Sequence, residues 1–203
     1  MAIITIITII VITSQGSFNK TILLANTAYD IALSIRGAET YGVGSRVAGA
    51  SINAGYGIDI TRTTPNAFIF FADSYPGPSA SSVCHPMDDP SAPDAKPGNC
   101  SYDSTSDQLI TQYKLGNGAT ISDFCALTSG TWSCATSHGS NLASLDLVFV
   151  RPNSVPFMSV NGAFSSSFPV TAACLALVSP QGGARFVSVS SAGEISAAAL
   201  SCP

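Results

Sequence analysis

Charge is what this sequence has least of. Lys, Arg, Asp and Glu make up 10% of its 203 residues, against roughly 25% in an average soluble domain. The eight basic residues are scattered, and no basic stripe interleaves with aromatics, so there is no electrostatic footprint for nucleic acid. Disorder is excluded from the other side, because 46% of the residues are hydrophobic. Histidine is also scarce: His85 and His138 both fall in loop-like stretches, and no GxSxG elbow accompanies either. A hydrolytic triad therefore has little to stand on. No CxxC pair occurs, and Cys84-His85 with Cys100 fits no zinc spacing. No glycine-rich phosphate loop links a strand to a helix. The chain is not read as an enzyme, and neither a catalytic residue nor a metal or cofactor is expected.

What is present begins at the N-terminus. Met1 to Thr13 reads MAIITIITIIVIT, and the first charged residue is Lys20. From there apolar groups recur at three- and four-residue spacings: Ile22, Ala25, Tyr29 and Ala32/Leu33, and again Leu24, Ala28, Ile31 and Ile35. Asp30, Arg36 and Glu39 fall between these stripes as solvent-face charges, and Gly42 is a stop signal. The spacing predicts a helix over 1–42, a rod roughly 60 Å long, followed by a second unit over 43–203. The energetic weight of its front lies in Ile3, Ile4, Ile6, Ile7, Ile9, Ile10, Val11 and Ile12. Each buried Ile is worth roughly 1.5–3 kcal/mol relative to water, so this segment is expected to be covered by membrane or by neighbouring subunits. The apolar run is short of the roughly 18 residues a spanning helix needs, and it shows neither a basic n-region nor a cleavage site. It reads as the second half of a membrane segment whose true start lies upstream.

After the helix the periodicity turns extended. Tyr41–Gly57 reads as a loop or loose edge strand. Strands are expected at Tyr56–Thr61, Ala67–Ala72, Leu109–Leu115, Thr120–Phe124, Leu145–Val150, Pro156–Val160, Val170–Val178, Arg185–Val189 and Glu194–Ala199. Gly116-Asn117-Gly118 and Ser190–Gly193 read as hairpin turns, and Asp146 as facing outward. Ser74–Ser106 and Cys125–Asn141 read as loops. The former is an insertion in which Asp88, Asp89 and Asp94, with Asp103 and Asp107 nearby, gather carboxylates. Calcium takes such oxygen ligands, but the DxDxDG spacing is absent and a solvated acidic loop is the simpler reading. The six cysteines, Cys84, Cys100, Cys125, Cys134, Cys174 and Cys202, form an even set that points to disulfides and an oxidising compartment. Six allow about fifteen full pairings. Sequential pairing is preferred here: Cys84–Cys100, Cys125–Cys134 and Cys174–Cys202.

Several stretches carry a likeness: ANTAYDIALSIRGAETYGVG at the helix end, GYGIDI followed by FIFFAD, LDLVFVRPN, and the terminal RFVSVSSAGEIS. In combination they resemble the type IV pilin and type II secretion pseudopilin superfamily, and within it the H-type minor pseudopilins. The resemblance implies an α+β pilin fold, a long N-terminal α-helix packed on an antiparallel β-sandwich-like head. It implies a structural subunit of a type IV pilus or type II secretion-like filament, whose partners are other pilin or pseudopilin subunits. Before assembly the inner membrane would hold the helix in a single pass, with the head outside the cytoplasm; afterwards the filament is periplasmic or extracellular. The family's basic leader, cleavage-site Gly and Phe-Thr-Leu-Ile-Glu opening are absent, and Met1-Ala2-Ile3-Ile4 matches the middle of such a segment. The alternative is a secreted or membrane-anchored β-sandwich adhesin or binding module, with Ser74–Ser106 and Cys125–Asn141 as its binding loops.

Overall fold

The computed structural model describes residues 2–44, 54–74, 98–138, 142–151 and 154–203, with helix side chains described at Ile4 and from Thr21 onward. Among the described residues, helix α1 (Ala2–Val43) leads into ten strands. They are β1 (Gly55–Thr61), β2 (Ala67–Asp73), β3 (Gln108–Lys114), β4 (Thr120–Thr128), β5 (Thr131–Cys134), β6 (Ser144–Phe149), β7 (Pro156–Val160), β8 (Val170–Val178), β9 (Ala184–Ser190) and β10 (Ile195–Ala199). Two five-stranded sheets result, ordered β3-β2-β1-β6-β7 and β10-β9-β8-β4-β5, with every paired neighbour antiparallel.

Alternation along the strands sends every second side chain inward. Tyr56, Ile58 and Ile60 of β1 meet Leu145, Leu147 and Phe149 of β6 on the inner face of the first sheet. Phe124 and Ala126 of β4 and Leu175 and Leu177 of β8 line the inner face of the second. Both faces and the Leu24, Ala28, Ile31, Ile35 and Ala38 stripe of α1 form one continuous core. The helix touches β1 and β6 of one sheet and β8, β9 and β10 of the other. Small residues permit this insertion. Ala28 and Ala38 are fully buried, and at Gly42 any side chain would collide with the Phe149 carbonyl. Tyr41 sets its ring edge-on to Tyr56 and Phe70, both at 5.4 Å between centroids, and so fixes the end of the packed stretch.

This corrects the expected fold. The molecule is mostly β, two sheets sharing a core, and not an α+β pilin fold with a long helix packed on a head. The described packing involves only residues 21–43 of the helix, which is wedged between the sheets. Non-local pairing is the physical reason: β1 joins β6 and β4 joins β8 across long stretches of chain, a choice that periodicity does not encode.

Local expectations fared unevenly. Strand positions agree within a residue or two, apart from the extension of β4 to Thr128 and the added β5. That strand lies inside the stretch read as loop, and its turn, Ser129-Gly130, has φ of 52° and 79°. Two positive φ values in sequence match the twist of a tight hairpin, so Ser-Gly between two apolar runs was a readable signal. Gly116-Asn117-Gly118 does turn the chain, with φ of 56° at Asn117 and 70° at Gly118. It is not a hairpin, however, because β3 and β4 belong to different sheets. Leu115 N–H donates to the Asn66 carbonyl and Ile121 N–H to that of Pro65, so the β1–β2 turn anchors both sides of the crossover. The Ser190–Gly193 turn does join a hairpin, β9 to β10. The helix runs to Val43, past the expected stop. Of the stretch Tyr41–Gly57, read as a loop or loose edge strand, residues 45–53 lie outside the described residues, and Gly55–Gly57 open β1, which is central in its sheet.

Candidate functional site

The helix has two faces with different fates. While Ile31 and Ile35 are sealed in the core, Tyr29 and Leu33 on the opposite side are 61% and 69% exposed. Ile22 and Leu23 are exposed as well. Beside this face lies a groove of about 570 Å³ between α1 and the crossover after β3, bordered by Leu23, Leu33, Phe68, Phe70, Tyr113 and Leu115. Tyr113 stacks on Phe68 at 5.1 Å, and it is exposed together with Leu109 and Ile110 on the edge strand β3. The helix, the groove and the Tyr113 end of the edge strand thus adjoin on one side of the molecule.

Of the eight residues expected to drive assembly, Ile4 is exposed. Ile3, Ile6, Ile7, Ile9, Ile10, Val11 and Ile12 lie within the helical backbone, but their side chains are outside the described residues. Among the described residues no helix is long and apolar enough to cross a membrane. The charges between the stripes behave as surface groups with one addition. Arg36 pairs with Glu39 at 3.9 Å and also donates to the Ile195 carbonyl of β10 at 3.4 Å, tying helix to strand.

Two expected disulfides are present, Cys125–Cys134 and Cys174–Cys202. Cys125 and Cys134 stand directly opposite on β4 and β5, and Cys174 is the partner of Cys125 on β8. The second bridge draws the C-terminal tail to the second sheet. Cys100 is also disulfide-bonded; its expected partner Cys84 lies outside the described residues, as do His85, Asp88, Asp89 and Asp94. His138 is exposed in a loop at φ 55°. Asp123 joins Cys125 and Cys134 in a close trio, but the sulfurs are spent on each other, and the carboxylate accepts from the Thr136 and Ser137 N–H groups.

The outer face of the first sheet is unexpected. Asp146 does point away from the central core, yet it is 1% exposed, because residues 98–107 lie across it as a strap. Asp59 and Asp73 gather beneath or beside the same strap, and Asp107 ends it. Asp146 accepts from Ser101 Oγ at 3.1 Å and Tyr102 N at 3.0 Å, and hydrogen-bonds Asp59 across the β1–β6 pair. Asp73 Oδ2 accepts from Cys100 N at 2.7 Å. Its close fit depends on Gly98, where a Cβ would strike the carboxylate. Asp107 accepts from Ser74 N at 2.9 Å and Asp103 N at 2.7 Å, closing the strap's end.

Burial dominates the electrostatics here. It pushes Asp73 up to about 8, helped by the charge of Asp107. It pushes Asp107 to about 6 and Asp59 to about 6, the latter opposed by the bond from Asp146. Asp146 is raised well above the ordinary value by burial and by Asp59. Burial, other aspartates and hydrogen-bond donors account for these shifts; no lysine or arginine among the described residues contributes. In the sequence Asp59 and Asp146 occupy the outward positions of the alternating strands YGIDIT and LDLVFV, where a solvated carboxylate is the ordinary expectation. What hides them is a strap about forty residues away from each.

Fold and surface together define a mostly-β, disulfide-braced protein with a helix inserted between its sheets and an apolar side left open. Compared with known protein families, with curated proteins and with solved structures, the chain finds no match.

Proposed function

We propose that this chain is a non-enzymatic filament subunit of the minor pilin or pseudopilin kind, assembling through its apolar helix. The observation that carries the reading is the division of α1. One stripe is locked into the β core, while Tyr29 and Leu33 stand exposed on the other side, continuous with a helical backbone that extends to the Ile-rich front. Burial against neighbouring subunits is the physical reward for such a surface. In this reading the Ile-rich end rests in the inner membrane before assembly and the sheets lie outside the cytoplasm, where disulfides persist. Resemblance in the helix-end and strand motifs supports the same assignment.

The test is a Tyr29→Arg/Leu33→Arg double variant, made in the native host and read in sheared surface filaments. Both positions are exposed, so the fold tolerates the change. Wild-type chain is expected in the filament fraction, and the variant is expected to drop out of it while remaining folded and membrane-associated. Wild-type protein found free in the medium as a monomer would overturn the reading. That outcome would favour a secreted β-sandwich binding module, for which the groove beside Phe68 and Tyr113 is the supporting observation.

A further inference from the structure

The register places three oxygen-bearing side chains in one row across the first sheet: Asp59 opposite Asp146, and Asp146 opposite Ser159. All three share the outer face, because their strand neighbours Ile58, Leu147 and Met158 point into the central core. The strap adds Ser101, whose Oγ is 3.1 Å from Asp146 Oδ2. Ser159 is wholly buried, and its Oγ has no hydrogen-bond partner. An unpaired interior hydroxyl is costly and rare. This one sits beside a carboxyl pair that no described cation offsets.

We propose that this covered face is a binding site for a calcium-like divalent cation, held by Asp59 and Asp146 with the hydroxyl oxygens of Ser159 and Ser101. Hard oxygen donors of two kinds, two carboxylates and two hydroxyls, are the ligand set such an ion takes. Two negative charges match its two positive ones, and Ser159 gains the partner it lacks. The strap supplies the lid, since Ser101 and Tyr102 already bind Asp146. Binding would clamp the strap to the sheet. The expected acidic loop is a different place: of its carboxylates, Asp103 and Asp107 are engaged in hydrogen bonds at the strap's end. The inference stands whether the chain works in a filament or as a binding module.

Full-length protein, stripped with chelator, is titrated with calcium chloride by calorimetry and followed by thermal unfolding. One equivalent per chain is expected, with Tm rising by about 5–10 °C at a hundredfold excess over Kd. Magnesium should do less, because it dehydrates reluctantly and demands octahedral geometry. Asp59→Asn should abolish binding. Ser159→Ala, which removes one oxygen and little volume, should weaken it on the order of 10- to 100-fold and decides the matter if Asp59→Asn does not fold. Asp30→Asn on the helix surface should bind as wild type does. No heat and an unmoved Tm in the wild-type protein overturn the proposal. So does undiminished binding by Ser159→Ala and by folded Asp59→Asn, which would place the ion elsewhere.

Discussion

Asp73 holds its proton more tightly in the folded chain than in the unfolded one, since its value rises from 3.8 to about 8. Between those two values the folded state carries the extra proton, so stability is highest toward pH 4 and falls as pH rises through the window. In chelator-treated protein, Tm is expected to decline from pH 5 to pH 8. Asp73→Asn keeps the shape without the charge and should flatten that decline; equal slopes for both proteins would show that Asp73 is not its source. Helix residues make the complementary point. Ile35→Ala leaves a hole where both sheets meet the helix and should cost about 2–5 kcal/mol in urea unfolding. Leu33→Ala, two positions away but 69% exposed, should change stability by less than about 0.5 kcal/mol. The helical period put these two residues on different apolar stripes, but which stripe the sheets would cover was not written in it. It could not distinguish a solvated Asp146 from a covered one, because the strap that covers it comes from a distant part of the chain.

Among the elements, the tail after β10 depends on a covalent tie. Cys174–Cys202 closes 28 residues and Cys125–Cys134 only 9. On chain-entropy grounds the longer loop is worth about 3.5 kcal/mol and the shorter about 2.5. Cys174→Ser/Cys202→Ser should therefore lower the unfolding midpoint more than the Cys125→Ser/Cys134→Ser pair does. The reverse order would mean that the β4–β5 hairpin, and not the tail, depends on its bridge. Hairpins show how far local chemistry reaches. Ser190–Gly193 joins paired strands, whereas the equally turn-rich Gly116–Gly118 sends its two strands to different sheets. A turn signal specifies reversal of the chain; pairing is then settled by which edge offers free backbone groups and an apolar face. Here β2 takes β3, and β8 takes β4.

For the whole molecule, the open apolar side is the feature with consequences. Tyr29, Leu33, Tyr113 and the Leu109–Ile110 edge leave hydrophobic surface in water, and surface of this kind invites association. Purified full-length protein should self-associate with rising concentration, and Tyr29→Arg/Leu33→Arg should move sedimentation toward the monomer. Sedimentation that is identical for the two proteins would remove this face from the interaction.

The sequence by itself determined the local elements. It set the helix and its two-faced stripe, nearly every strand, the parity of the cysteines and the scarcity of charge, because these depend on short-range periodicity and backbone preference. Tertiary structure decided the rest. It sorted ten strands into two sheets, inserted the helix between them and laid residues 98–107 over Asp59 and Asp146. Those outcomes depend on non-local pairing and on burial summed over distant segments, and a contact across a hundred residues leaves no period in the chain for a reader to find.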